Sequence, residues 1–225
     1  MKGDLRYLLR MLKYILSCFL FLSLTTAYSQ FSNKQKSLVF IGGFGHTKLG
    51  LKKMFKDFKK RYPKLKEYNV IYYTHNTRLK KIINDIEKID HKNITLAGYS
   101  IGSNLALKVA SELNSNQIQS FTFIDPWFTS ANWADESDEA NILFKEKIKN
   151  LPRNSILLYG SDFVVKNNRG LSKVAGPFGT KQCKSCYQYL REKWSKMGKV
   201  FKSGAGHRYF PELYIKQFLN KPVLN

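Results

Sequence analysis

The stretch NITLAGYSIGSNLALKVASEL, residues 93–113, contains the transition on which the fold depends. Its first part, Asn93–Ala97, is a short apolar run typical of a buried strand, and its last part, Ser103–Leu113, has the composition and apolar spacing of a helix. Between them lies Gly98-Tyr99-Ser100-Ile101-Gly102, a G-x-S-x-G pentapeptide. Glycines two residues either side of a serine permit a sharp strand-to-helix turn that exposes the serine hydroxyl. The pattern predicts a nucleophile at Ser100; the alternative is a glycine-rich turn without catalysis.

The alternation of strand and helix patterns continues on both sides of this stretch. Further short apolar runs predict strands at Ser37–Ile41, Asn69–Tyr73, Phe121–Ile124, Ser155–Tyr159 and near Val200–Lys202. Helical patterns lie between or after them, at Leu51–Tyr62, Leu79–Ile89, Asn141–Asn150, Tyr187–Met197 and Glu212–Leu219. Apolar strands separated by amphipathic helices indicate right-handed βαβ units. The predicted fold class is α/β, a mostly parallel open sheet of about six strands with helices on both faces.

A serine nucleophile needs hydrogen-bond donors for the oxyanion that forms during acyl transfer. One donor is the N–H of Ile101, at the start of the predicted helix. The second is expected in the loop after the first strand, Gly42-Gly43-Phe44-Gly45, from Phe44 or Gly43. A tight turn without a role and a phosphate-binding loop are the alternatives. A dinucleotide fingerprint is excluded, because Lys48 stands where its third glycine would be.

The general base should follow the last strand, where Gly204-Ala205-Gly206 precedes His207. His46 lies beside the glycine-rich loop and could touch substrate, whereas His75 reads as an ordinary polar loop residue. A carboxylate must orient the base, and two follow strands: Asp162 comes after Ser155–Tyr159, and Asp125 comes after Phe121–Ile124, one strand earlier. We expect Asp162, with Asp125 as the alternative.

These motifs together resemble the α/β-hydrolase superfamily of esterases and lipases, over roughly residues 37–219. The resemblance implies Ser100 as nucleophile, His207 as base, Asp162 as acid and the N–H groups of Phe44 and Ile101 as oxyanion donors. Two features depart from the family pattern. Gly42 replaces the usual histidine before the oxyanion glycine, and the first two antiparallel strands of larger members have no counterpart. The chain would therefore be a minimal version of the fold.

The resemblance implies a hydrolase that cleaves carboxylic esters through an acyl-enzyme, with no cofactor and no metal. Thioesterases and acyltransferases share the superfamily, and fold does not determine function. A different class of protein, a non-catalytic exported surface-binding protein on the same fold, remains the alternative.

Residues 1–29 have the pattern of a signal peptide, which leaves 30–225 as the hydrolase domain. A basic segment precedes the apolar stretch YILSCFLFLSL, and Ala27-Tyr28-Ser29 offers small residues for cleavage. The apolar stretch is shorter than the roughly 20 residues that a spanning helix prefers. We expect a periplasmic or secreted protein without a membrane span in its mature form; a membrane-anchored protein is the alternative.

The net charge of the chain indicates which binding partners it favours, and its cysteines indicate where a disulfide could form. The chain has 38 Lys and Arg against 16 Asp and Glu, a net charge of +22. Such a field favours an anionic surface or lipid as partner, whereas the absence of any nucleic-acid-binding motif argues against nucleic acid. Cys183 and Cys186 form a CKSC motif that in an exported protein could close a disulfide or remain two thiols.

Overall fold

A computed structural model of the chain describes residues 36–89, 93–113, 117–128, 138–160, 183–197, 199–204 and 206–220. The predicted signal peptide and Asp162 lie outside these ranges. Within them, no helix is long and apolar enough to cross a bilayer.

The described residues contain a six-stranded sheet in the order β2-β1-β3-β4-β5-β6, and every neighbouring pair is parallel. Each strand predicted from an apolar run is confirmed, as is the α/β fold class. The strands are β1 Lys36–Gly42, β2 Tyr68–Thr74, β3 Ile94–Tyr99, β4 Ile118–Ile124, β5 Ile156–Gly160 and β6 Val200–Ser203.

Each predicted helix is also present, with bounds that differ by a few residues. The helices are α1 Lys48–Arg61, α2 Leu79–Glu87, α3 Gly102–Glu112, α4 Asp138–Lys149, α5 Lys184–Ser195 and α6 Phe210–Asn220. Helix α1 begins three residues before the apolar pattern does, because the Thr47 side chain accepts a hydrogen bond from the N–H of Gly50 (3.0 Å) and caps the first turn.

Alternate residues of the central strands pack on opposite faces of the sheet. In β1, Val39 and Ile41 pack with helices α2 to α5, whereas Leu38 and Phe40 pack with α1 and α6. A strand covered on both faces is apolar at nearly every position, which is why these runs could be recognised from the sequence. Parallel strands place all their carboxyl ends at one edge of the sheet, and the candidate site lies there.

Cys183 and Cys186 form a disulfide at the start of α5. Both cysteines are fully buried. The N–H of Cys183 donates to the carbonyl of Phe128 (2.8 Å), four residues after the end of β4. The disulfide therefore lies beside the chain that follows β4.

Candidate active site

Ser100 lies at the apex of the turn between β3 and α3, with a φ of 54°. Its N–H donates to the carbonyl of Ile124 (3.0 Å), and its own carbonyl accepts from the N–H groups of Ser103 (3.0 Å) and Trp127 (2.9 Å). A non-glycine residue in the left-handed region is held there only when surrounding contacts fix it. The bonds with Ile124 and Trp127 hold the backbone of Ser100 against the end of β4 and the chain that follows it, and the bond from Ser103 joins it to α3.

Gly102 allows the first turn of α3 to approach the end of β1. A Cβ at Gly102 would lie 2.6 Å from the carbonyl oxygens of both Ile41 and Gly42. No larger residue fits without moving backbone, so the second glycine of the pentapeptide is a packing requirement. The approach brings the glycine-rich loop after β1 next to Ser100.

Asp125 follows β4 directly and also has a positive φ, 39°. Its side chain is fully buried. Its N–H donates to the carbonyl of Leu158 in β5 (2.6 Å). The Nδ1 atom of His207 lies 2.5 Å from Oδ2 of Asp125. Because the carboxylate accepts at Nδ1, the proton of a neutral His207 is held there, and Nε2 is left as the basic nitrogen.

Tyr99, the last residue of β3, makes two contacts with His207. Its hydroxyl donates to the carbonyl of His207 (2.9 Å), and its ring stacks on the imidazole with centroids 4.8 Å apart. Burial, reinforced by the charge of Asp125, raises the pKa of Tyr99. The hydroxyl therefore remains a neutral donor at physiological pH.

A serine at a strand-to-helix elbow of a parallel sheet, with an aspartate and a histidine after later strands, has the chain order typical of α/β hydrolases. The described sheet and its helices are consistent with an α/β-hydrolase fold. The six described strands are all parallel. The residues before β1 lie outside the described ranges, so the expected lack of the first two antiparallel strands stays a prediction.

No family model and no curated protein matches the sequence. Among solved structures, the Francisella virulence factor BioJ is 12% identical with a TM-score of 0.45, over 84% of this chain and 76% of that one. A candidate aryl esterase from Burkholderia cenocepacia is 10% identical with a TM-score of 0.45, over 84% and 89% of the two chains. The enzyme 1H-3-hydroxy-4-oxoquinoline 2,4-dioxygenase is 12% identical with a TM-score of 0.42, over 84% and 93%. These values are too low to carry over any activity or substrate.

The loop after β1 lies directly against the serine. A Cβ at Gly43 would lie 2.6 Å from Cβ of Ser100. The next residue, Phe44, has a side chain that is 48% exposed. Ile101 immediately precedes α3. The residues expected to supply oxyanion donors therefore lie on both sides of Ser100.

Two further histidines surround this loop. His46 stacks on the ring of Tyr99 (5.4 Å between centroids), and burial, with a contribution from the nearby His207, lowers its pKa. His75, expected to be an ordinary loop residue, lies beside this loop: its ring is 6.1 Å from that of Phe44, and burial lowers its pKa. Sequence reasoning missed the contact of His75, because only the order of the strands brings the end of β2 beside the loop after β1.

Asp125, the alternative acid, is the carboxylate that contacts His207. Asp162, the preferred candidate from the sequence, lies outside the described residues, so its position is not described.

Proposed function

We propose that this chain is a serine hydrolase that cleaves carboxylic esters, with Ser100 as nucleophile, His207 as general base and Asp125 as the acid that orients His207. The observation that carries the proposal is the hydrogen bond from Nδ1 of His207 to the buried carboxylate of Asp125, at the edge of the sheet where Ser100 is held in its strained turn. This contact supports Asp125 rather than Asp162 as the third member of the triad.

The proposed reaction passes through an acyl-enzyme. Nε2 of His207 takes the proton from Oγ of Ser100 as Oγ attacks the ester carbonyl carbon. The resulting oxyanion accepts hydrogen bonds from the N–H of Ile101 and from a second N–H in the loop at Gly43 and Phe44. His207 then protonates the leaving alcohol oxygen. Water attacks the acyl-enzyme in the same manner, which releases the carboxylic acid and restores Ser100.

Ser100→Ala and His207→Ala test the mechanism directly. Because triad residues act as a unit, each should lower kcat on p-nitrophenyl esters by about 10⁶-fold in a fully evolved site. Ser111→Ala, which removes another partly buried hydroxyl, is the matched control and should retain activity. Wild-type rates from Ser100→Ala, at equal circular dichroism, would overturn the mechanism.

The same assays separate this proposal from its alternatives. A non-catalytic surface-binding protein would not react with a fluorophosphonate probe at Ser100. A thioesterase or an acyltransferase would react, and would prefer acyl thioesters or transfer the acyl group to an added alcohol. A panel of p-nitrophenyl esters of increasing chain length, with matched thioesters, distinguishes these three cases.

We also propose that the mature protein is exported after cleavage of residues 1–29 and that it meets its ester substrate at an anionic lipid surface. Phe44 in the loop next to Ser100 and Leu49 in the first turn of α1 are 48% and 75% exposed. Exposed lysines lie beside them on the same turns of the chain, at Lys48, Lys52, Lys53 and Lys56. Exposed apolar side chains flanked by lysines match the chemistry of a lipid surface with anionic headgroups.

A further inference from the structure

The side chain of Tyr99 lies on the face of the sheet that α6 covers. Tyr99 ends β3 and is only 5% exposed, and it belongs to the same buried cluster as Phe210 and Tyr214 of α6. His207 begins the short 3₁₀ turn that leads directly into α6. The alternation of side chains along β3 therefore directs the ring of Tyr99 toward the segment that carries His207.

The hydroxyl of Tyr99 holds the backbone of His207. It donates to the carbonyl of His207 (2.9 Å), across 108 positions of the chain. The same carbonyl accepts from the N–H of Phe210, which closes the turn before α6. A carbonyl oxygen can accept two hydrogen bonds, so loss of the hydroxyl would not leave it without a donor. The hydroxyl therefore links the turn at His207 to β3, and the turn itself can form without it.

The ring of Tyr99 also holds the imidazole of His207. The two rings stack with their centroids 4.8 Å apart and their planes 25° apart. Nδ1 of the same imidazole lies 2.5 Å from Oδ2 of Asp125. A histidine side chain rotates only about χ1 and χ2. A fixed backbone, a fixed ring face and a fixed Nδ1 together therefore determine the position of Nε2.

The loop after β1 holds the ring of Tyr99 in turn. The ring stacks on that of His46, with centroids 5.4 Å apart and planes 29° apart. A Cβ at Gly42 would lie 2.8 Å from Nδ1 of His46, so glycine at position 42 leaves the room that the His46 ring occupies. A Cβ at Gly43 would lie 3.2 Å from Cδ1 of Tyr99. Close packing of this kind leaves the Tyr99 ring little freedom to move.

We infer that Tyr99 is a positioning residue for His207, which sets the place of the general base relative to the nucleophile. Tyr99 directly precedes Ser100 in the chain, so the ring on which the imidazole stacks belongs to the same turn that holds the serine. One short segment thereby carries the nucleophile and determines where Nε2 of the base lies. The inference rests on the proposed function and adds to it a residue that acts through His207.

Variants of Tyr99 separate its hydroxyl from its ring. Tyr99→Phe retains the ring, and we expect kcat to fall about fivefold, the equivalent of one hydrogen bond, with KM within about twofold. Tyr99→Leu removes both contacts and should lower kcat by about 10²-fold, as a displacement of about 1 Å in an active site does. Tyr73→Phe is the matched control and should keep the wild-type kcat. It removes a hydroxyl that donates to Asp85 (3.0 Å) on the other face of the sheet.

Proton NMR reports the position of the imidazole without an assay of activity. The proton that Nδ1 of His207 donates to the buried carboxylate of Asp125 should give a far-downfield resonance, identified by its absence in His207→Ala. This resonance should move in Tyr99→Phe, move further in Tyr99→Leu and stay unchanged in Tyr73→Phe.

Wild-type kcat or an unmoved resonance in Tyr99→Phe, at equal circular dichroism, would overturn the role of Tyr99, because this variant keeps the packing of the ring and loses only the hydrogen bond. Failure of the proposed function has a different signature. The resonance would still respond to the Tyr99 variants, while wild-type Ser100 would not react with a fluorophosphonate probe.

Discussion

Nδ1 of His207 lies 2.5 Å from Oδ2 of Asp125, although the two residues are separated by 82 positions in the chain. His207 follows β6, and Asp125 follows β4, so the histidine reaches past the end of β5. The carboxylate is fully buried and the imidazole side chain is 22% exposed. The buried carboxylate of Asp125 therefore orients the imidazole, and the imidazole itself is partly exposed, as the proposed role of His207 as a general base requires.

Asp125→Asn should place an amide donor against Nδ1 of His207 and favour the wrong tautomer. We expect kcat to fall by about 10⁴-fold with little change in fold. Asp162→Asn, which removes the acid expected from the sequence, should have a much smaller effect. Measurement of kcat for both variants on one ester decides between them, and the opposite ranking would return the role to Asp162.

Gly43→Ala should impair catalysis by moving the loop away from the serine. The new Cβ would lie 2.6 Å from Cβ of Ser100 and 3.1 Å from the carbonyl oxygen of Tyr99. A displacement of about 1 Å in an active site can cost about 10²-fold, and we expect a loss of kcat of that size. Gly204→Ala is the matched control, because a Cβ there meets nothing within 4 Å. Equal activities of the two variants would contradict this account of the loop.

Cys183→Ser/Cys186→Ser should lower the free energy of unfolding by about 2 kcal/mol, as expected for a disulfide that closes a short loop. Serine at position 183 can still cap α5, so the change isolates the covalent link from the cap that Cys183 provides. Urea denaturation measures the difference, and wild-type protein treated with a reductant should show the same shift. Catalysis at 25 °C should persist in the variant. A variant as stable as the oxidised wild type would show that the disulfide contributes nothing to folding.

Acidification should destabilise the protein in part through His46. Burial lowers the pKa of His46 below its ordinary value of about 6.5, so between these two values the unfolded chain binds a proton that the folded chain does not. The free energy of unfolding therefore falls as pH drops below about 6.5 and is insensitive to His46 above it. Urea titrations at pH 7.5 and 5.5 should show a smaller decrease for His46→Gln than for wild type. An unchanged decrease would mean that His46 does not contribute.

The lysines of α1 should control binding to anionic vesicles. Each basic residue near such a surface contributes about 1 kcal/mol, so Lys52→Gln/Lys53→Gln/Lys56→Gln should weaken binding by about 100-fold at low salt. The control variant, Lys80→Gln/Lys88→Gln/Lys196→Gln, makes the same change in net charge. Its three positions are exposed and lie in or next to α2 and α5, on the opposite face of the sheet. Salt at 0.15 M screens charges beyond about 8 Å and should weaken wild-type binding, while hydrolysis of a small neutral ester stays constant. Equal losses for the two sets of variants would indicate a diffuse charge effect rather than a docking face.

The sequence by itself determined the local elements and the position of Ser100, the proposed nucleophile, in a strand-to-helix turn. Strands covered on both faces are apolar throughout and helices repeat their apolar residues every three or four positions, so both kinds of element can be recognised in one chain. The serine turn is local at Gly98, where a Cβ would lie 2.7 Å from Cα of Ser103, whereas the contact that requires Gly102 is with the end of β1.

Only the tertiary structure decided which residues meet across the sheet edge. Asp125 and Asp162 both follow strands, and nothing in their neighbourhoods in the sequence shows which strand end His207 reaches. The contact between His75 and Phe44 likewise depends on β2 lying next to β1, which the order of elements along the chain does not reveal. Long-range contacts of this kind arise from strand order and twist, whereas the patterns that identify an element arise from its own burial.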